Sequence, residues 1–331
     1  MTVWFRRWAL GASLILISGC AGSQSTIGGA GAIPQALIKT QDAHLGSWIL
    51  PEAKARDLIY FSVESTSKRG TTYILSLPQG ELVGQINANG GLCSDNIGNV
   101  WIVGYPNGQR KELAEFAHGG VKPIRILRIP KVPPAGCAVD PTSGAIATIS
   151  GEHEVAIYNS GSSQPKIVAY NKLYLDGLTY DGNGNLFILG GTVNDQKPQR
   201  LKIAELPKGA TKIGLLPGFE TGRLGYSGFE WDGKHLTEGD SLNEGGHDIF
   251  RYKVGRNRLK SRGVTEIGGY FPYMANYWIQ GSMAVTTVYC SYGCAPIYLF
   301  NYPAGGAPIK TIGQGVVPAA SGQVTISVGR K

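Results

Sequence analysis

GLCSDNIGNVWIVG, residues 91–104, is the first statement of a phrase that the chain repeats. It returns as GCAVDPTSGAIATIS at 136–150, as GLTYDGNGNLFILG at 177–190 and as GFEWDGKHLTEGD at 228–240. Each copy is a Gly, three residues, an Asp, a turn and an apolar-rich run. The starts lie 45, 41 and 51 residues apart, and a period in that range belongs to repeat architectures. The Asp is suited to opening a tight hairpin, because its carboxylate can accept nearby backbone N–H groups. The Gly permits a bulge or a close approach of neighbouring backbone. A residue pair stated four times reads as turn and packing chemistry, not as a unique catalytic centre.

Working outward, each phrase supplies the first two strands of a longer unit. Third strands are expected at Glu112–Ala117, Glu154–Tyr158, Leu201–Leu206, Asp248–Tyr252 and Pro296–Tyr302. The turns after them read HGG, NSGSS, PKGA, KVGRNR and PAGG, where Gly, Asn and Pro supply hairpin geometry. Fourth strands follow at Ile124–Ile129, Ile167–Tyr170, Lys212–Leu216, Leu259–Ile267 and Ile309–Ile312. Residues 274–288 (MANYWIQGSMAVTTV) read as a first and second strand whose Gly–Asp signature has decayed, a fifth unit, and fragments of a sixth lie at the two ends. Asp57–Val63, Thr72–Leu77 and Leu82–Asn87 have no first strand, and Gln323–Val328 is a first strand with no second. The two fragments complete each other. The expectation is therefore an all-β, six-bladed β-propeller of four-stranded blades, its first blade closed by the C-terminal strand. Radial repetition protects strand edges, whereas a linear solenoid would carry capping units at its ends.

The phrase is similar to that of the NHL-repeat and gluconolactonase-like six-bladed propellers, with Gly91–Val103 and Gly177–Leu189 the better matches. The copy at Gly136 departs at the aromatic, and the copy at Gly228 lacks the second Gly-Asn. The resemblance covers roughly residues 57–328 and implies the fold, which hosts many activities. The gluconolactonase-like enzymes imply one divalent metal held by Glu, Asn and Asp. Acidic candidates here are Asp176, Glu230 and Asp240, with Asn89 and Asn276 as amides. Such an oxygen set suits a hard cation, so Ca or Zn would be the cofactor only under that alternative; otherwise no cofactor is expected. Glu64 is not a clear equivalent of the family's N-terminal metal ligand. The streptogramin-lyase-like propellers imply a His–Glu acid–base pair. His44, His118, His153, His235 and His247 include no pair on inner strands.

Residues 1–20 read MTVWFRRWALGASLILISGC: two arginines, an apolar run, then Ile17-Ser18-Gly19-Cys20. This looks like an export signal ending in the lipobox of bacterial lipoproteins. The resemblance implies cleavage after residue 19 and a lipid, palmitate included, on Cys20. Residues 20–50 begin with a small, polar stretch that reads as a flexible tether, and 51–331 as the propeller domain. Trp48-Ile49-Leu50 is expected to pack onto the domain edge. The resemblance implies a protein tied to the cell envelope, at the outer membrane in a Gram-negative cell.

If Cys20 is lipidated, four cysteines remain, with three possible pairings. Cys290 and Cys294 flank only Ser-Tyr-Gly, so a local bridge is expected. Cys93 lies two residues after its Gly and Cys137 one after its own. Alternate strand residues point to opposite faces, so opposite parity turns both toward the interface between their blades. The pairing expected is Cys93–Cys137 and Cys290–Cys294; buried free thiols are the alternative.

The chain has 331 residues, a formal net charge of +8 and 16% charged residues. The densest basic stretch, RYKVGRNRLKSR at 251–262, reads as a solvated outer hairpin, and nucleic acid is not an expected partner. Any ligand of a propeller is expected at a channel mouth built from the connections between blades. Those connections carry Tyr170, Tyr174, Asp176, Phe219, Glu220, Arg223, Tyr226, Tyr270, Phe271 and Tyr273, with Glu230 on the strand beyond. Tyr174, Asp176, Glu220, Arg223, Tyr226, Glu230 and Tyr273 form the candidate ligand site. No nucleophile elbow, P-loop or zinc spacing is present. The favoured reading is a binding or scaffold module for a protein, glycan or small ligand, reaching the membrane through its N-terminal lipid. The alternative is a metal-dependent lactonase or lyase.

Overall fold

Each of the four aspartates of the phrase closes its hairpin with its own carboxylate. Asp95 Oδ1 accepts the backbone N–H groups of Ile97 and Asn99, at 3.0 and 2.8 Å. Asp181 Oδ1 accepts those of Asn183 and Asn185, both at 2.9 Å, while its Oδ2 takes the Asn185 amide. Asp140 binds Thr142 N, and Asp232 binds Lys234 N and His235 N. The turn reading of the phrase is thus borne out in every copy. Asp181 is buried, so its removal leaves three donors without an acceptor. Asp181→Ala is expected to lower the unfolding free energy by about 2–3 kcal/mol, measured by urea denaturation; an unchanged midpoint would contradict this role.

The computed structural model describes residues 46–63, 70–106, 111–131, 134–193, 201–219, 226–240, 247–256, 258–268, 274–289, 296–313, 315–318 and 321–329. These hairpins build six antiparallel sheets. Blade 1 holds β2 (Leu58–Val63), β3 (Thr72–Ser76) and β4 (Leu82–Ile86), with β1 (Trp48–Ile49) added outside β4. Blade 2 runs β5 (Gly91–Ser94), β6 (Val100–Val103), β7 (Glu112–Phe116) and β8 (Pro123–Arg128). Blade 3 runs β9 (Pro134–Val139), β10 (Ile146–Ser150), β11 (Glu154–Tyr158) and β12 (Lys166–Ala169). Blade 4 runs β13 (Leu173–Tyr180), β14 (Leu186–Thr192), β15 (Leu201–Leu206) and β16 (Gly214–Leu215). Blade 5 runs β17 (Tyr226–Trp231), β18 (Leu236–Asp240), β19 (His247–Gly255) and β20 (Arg258–Ile267). Blade 6 runs β21 (Met274–Gln280), β22 (Met283–Val288), β23 (Ile297–Asn301) and β24 (Lys310–Ile312). The last strand, β25 (Gly322–Ser327), pairs with β2 over six residues and is the inner strand of blade 1.

The inner strands close a ring: β25 lies beside β5, then β9, β13, β17 and β21, and β21 returns to β25. Hydrogen bonds fasten β25 on both sides. Thr287 Oγ1 of blade 6 donates to Gly322 O at 2.7 Å, and Val324 N donates to Asn276 Oδ1 at 3.2 Å. On the blade 2 side Ser94 Oγ donates to Ile326 O at 2.6 Å. Ser327 Oγ donates to Gly98 O, which obliges His118 Nδ1, 2.6 Å away, to be the donor to Ser327. The cores lie between blades: Leu178 and Ile149 pack between blades 3 and 4, Phe187 and Phe229 between 4 and 5. Cys93 and Cys137 meet between blades 2 and 3 as a disulfide, Cα–Cα 5.6 Å, as their parity required. Cys20, Cys290 and Cys294 lie outside the described residues.

Trp48-Ile49 pack onto the domain edge as expected, though as a strand, and one hairpin differs from expectation. Trp48–Ile49 form a short fifth strand in blade 1, covering the edge of β4 that would otherwise be open. The β19–β20 hairpin is much longer than Asp248–Tyr252 and Leu259–Ile267 suggested, with KVGRNR drawn into the ladder up to the pair Gly255–Arg258. Its tip alternates cationic residues whose aliphatic stems can lie on a strand, so charge conceals the strand pattern.

Candidate functional site

Where the inner strands begin, the ladder of most blades is interrupted. The register shifts at Asp176, between the pairs Leu175–Gly190 and Gly177–Leu189. Register shifts fall at the same level beside Gly136, Gly228 and Ala275. In blades 1 and 2 glycines stand there, and a Cβ on Gly322 or Gly90 would strike the carbonyl oxygen of Ser62 or Val103, at 2.2 and 1.8 Å. Counted along the inner strands, the six matching positions carry Gly322, Gly90, Ala135, Asp176, Ser227 and Ala275, although in blade 3 the residue skipped by the ladder is Gly136. Five are small and one is a carboxylate. A bulge re-aims a side chain at a strand end, and among these positions only Asp176 carries an ionisable group.

The mouth is built outward from Asp176. The Gly191 N–H of β14 donates to its carboxylate, but burial dominates and raises its pKa from 3.8 to about 6. Two residues before it on β13 is Tyr174, whose ring lies 4.7 Å, centroid to centroid, from that of His153 in blade 3. Leu175 N donates to Glu152 O at 2.8 Å and fixes β13 against blade 3. His153 Nδ1 lies 2.7 Å from Leu173 O. A carbonyl can only accept, so Nδ1 carries the proton and Nε2 faces the exposed Glu152 carboxylate, 3.8 Å away. Glu152, His153, Tyr174 and Asp176 thus lie in one polar and aromatic strip along the start of β13.

Glu230 is not part of this strip. It lies three residues beyond Gly228's neighbour Ser227 along β17, roughly 10 Å deeper at about 3.3 Å per residue, opposite Thr237 in the ladder. It is half-buried yet desolvated enough that its pKa is raised well above 4.5, as for a group lining a narrow interior channel. Beside it Thr237 Oγ1 and Tyr277 OH are 2.8 Å apart. At this depth Trp278 packs against both the blade 6–blade 1 core and the blade 2–blade 3 core. Those cores are two blades apart around the ring, so the indole projects into the channel between them.

Among the other expected mouth residues, Tyr170 and Phe219 are buried in the cores between blades, where they pack rather than bind. Glu220, Arg223, Tyr270, Phe271 and Tyr273 lie outside the described residues, as do the side chains of Tyr226 and Asp240. Asn276 is occupied in holding Val324, and Asn89 Nδ2 donates to Val63 O at 3.2 Å. Among the described residues no three His, Cys, Asp or Glu side chains are grouped to hold a metal. The sequence did not bring Glu152 and His153 to the site; the Leu175 N–Glu152 O bond and the His153–Tyr174 ring contact do so.

The raised pKa has a consequence for stability. In the unfolded chain Asp176 ionises near its ordinary 3.8; in the folded chain it holds its proton up to about 6. Between these values the native state binds more protons, so stability falls as pH rises, by at most about 3 kcal/mol at ~1.4 kcal/mol per unit. Asp176→Asn is therefore expected to raise the melting temperature at pH 7.5 and leave it unchanged near pH 4. A pH-independent difference in calorimetry would contradict this.

The fold defines a six-bladed β-propeller. It is similar to one chain in a crystal structure of a nidogen/laminin complex, with 13% identity over 83% of this chain and 100% of that one, TM-score 0.58. It is also similar to XC5397 from Xanthomonas campestris, described as a gluconolactonase important in glucose secondary metabolic pathways, with 9% identity over 82% of this chain and 92% of that one, TM-score 0.53. No protein-family model matches the chain, and no curated protein matches it. At these identities the likeness is one of fold.

Proposed function

We propose that the protein is a lipid-anchored β-propeller of the cell envelope that acts as a binding or scaffold module, taking a protein segment, glycan or small ligand at the mouth where its inner strands begin. The observation that carries this reading is the strip Glu152, His153, Tyr174 and Asp176 beside five small residues. Small residues leave room, the aromatic face offers a stacking surface, and the carboxylate offers a hydrogen-bond acceptor or, when protonated, a donor. The anchor rests on Cys20 after Ile17-Ser18-Gly19 and on the polar stretch that follows. Labelling with radioactive palmitate tests it: label should enter the wild type and be absent from Cys20→Ser.

One observation favours a second reading. A carboxyl group titrating near pH 6 is matched to proton transfer near neutrality, as a lactonase or lyase needs. A single experiment separates the two. The full-length protein is screened by thermal shift against defined saccharides, short peptides and glucono-lactone, with lactone hydrolysis followed with and without Ca²⁺ or Zn²⁺. The binding reading expects a shift without turnover, weakened at least tenfold in affinity by Asp176→Asn and unchanged by the remote Glu112→Gln. Metal-dependent turnover abolished by Asp176→Asn would replace it with the enzymatic reading.

A further inference from the structure

Blade 5 carries a second recessed site, remote from the mouth. A cleft of about 290 Å³ is lined by Lys234, His235, Lys253 and Arg262. Lys234 and His235 come from the β17–β18 turn; Lys253 and Arg262 come from the long β19–β20 hairpin. Between Asp248 and Glu266 that hairpin has no acidic residue and six basic ones.

The local arrangement opposes itself. Lys253 stands directly across the ladder from Lys260, and like charges in that position are destabilising. A register shift between the pairs Arg251–Gly263 and Tyr252–Ser261 leaves Arg262 unpaired in the ladder, and Arg262 joins Lys253 in the cleft wall. The nearby Asp232, 3.3 Å from His235 Nδ1, offsets at most one of these charges. Its carboxylate is consumed by Tyr302 OH at 2.6 Å and by Lys234 N and His235 N, and only 6% of its side chain is exposed. Among the described residues no ion pair engages Lys234, Lys253, Lys260 or Arg262. On the same face of β19 as Lys253, Arg251 has a buried Nε with no hydrogen-bond partner among the described residues. The cleft thus gathers Lys234, Lys253 and Arg262, with Lys260 opposed to Lys253 across the ladder, against a single enclosed carboxylate.

We propose that this cleft binds a phosphate-bearing group. The wall supplies at least three permanent positive charges, so a single carboxylate would leave most of them uncompensated. A phosphomonoester or pyrophosphate carries about two or more negative charges, accepts a bidentate Arg fork and fits a compact recess. The group comes either from a free phosphorylated solute or from a phosphate headgroup at a membrane or envelope-glycan surface.

Titration calorimetry of the full-length protein with inorganic pyrophosphate at fixed ionic strength, and co-sedimentation with phosphatidylglycerol vesicles against phosphatidylcholine vesicles, test this. Pyrophosphate binding, or selective sedimentation with the anionic vesicles, is expected to weaken at least about tenfold in Lys253→Gln and in Arg262→Gln, and to stay unchanged in the remote Lys208→Gln. Binding of pyrophosphate points to the solute, and sedimentation without it to the headgroup; either supports the site. Lys253→Gln should also melt higher than wild type in anion-poor buffer, because it removes the repulsion from Lys260, so weakened binding would not reflect misfolding. No binding to either probe, or binding indifferent to both substitutions, would overturn the proposal. Tighter binding to a DNA duplex than to pyrophosphate, lost equally on neutralising any of the six hairpin cations, would also overturn it, in favour of a diffuse polyanion surface.

Discussion

A chain ending at residue 321 should not fold to a cooperative unit. Removing β25 deletes six ladder pairs with β2 and the buried side chains of Val324, Thr325, Ile326 and Ser327. It also opens both neighbouring interfaces, since Thr287 and Asn276 of blade 6 and Ser94 and His118 of blade 2 lose their partners. Truncating a single buried Ile of this kind to Ala costs about 2–5 kcal/mol, and whole domains are stable by only about 5–15 kcal/mol. Losing the strand exceeds that margin. The measurement is calorimetry on the truncated chain: the expected result is loss of the sharp unfolding transition, with added dye binding to exposed apolar surface. Ile326→Ala, which keeps the ring, should retain the transition and lose about 2–5 kcal/mol. A truncated chain melting like the wild type would mean that the ring does not depend on its C-terminal strand.

Breaking the Cys93–Cys137 bridge ranks second. The two residues are 44 apart in sequence, and the chain-entropy model gives about 4 kcal/mol for a loop of that length. The half-cystines are buried in the core between blades 2 and 3 with Trp101 and Tyr158, so substituting both adds a small cavity. The Cys93→Ala/Cys137→Ala double variant is expected to unfold at a markedly lower denaturant concentration than wild type. Reductant should shift the wild type in the same direction and leave the variant where it is. Denaturation curves with and without reductant check this; a wild-type midpoint indifferent to reductant would contradict the contribution of the bridge.

Much of the ring was readable because its signal is local. The Gly-x-x-x-Asp phrase fixes a hairpin by chemistry confined to five residues, as the bonds around Asp95 and Asp181 show. Strand parity then placed Cys93 against Cys137, and an unfinished first unit identified the role of Gln323–Val328. The length of the β19–β20 hairpin was hidden because its alternation is written in Arg and Lys rather than in apolar and polar residues. At the site, Asp176 and Tyr174 were legible as a connection between blades. Glu152 and His153 were not, since a backbone bond from Leu175 to Glu152 brings them there, and such a bond leaves no trace in composition or period. The surroundings of Glu230, with Thr237 and Tyr277 beside it, likewise depend on side chains of different strands meeting.

The functional reading depends on Asp176 being enclosed at the mouth of a closed ring, poised between its charged and neutral forms. Carbon-detected magnetic resonance of the aspartate carboxyl groups, with Asp176→Asn to assign the signal, measures this directly. A titration midpoint near pH 6 is predicted. A midpoint in the ordinary aspartate range, below ~4.5, would place Asp176 in open solvent and remove the mouth as the seat of function.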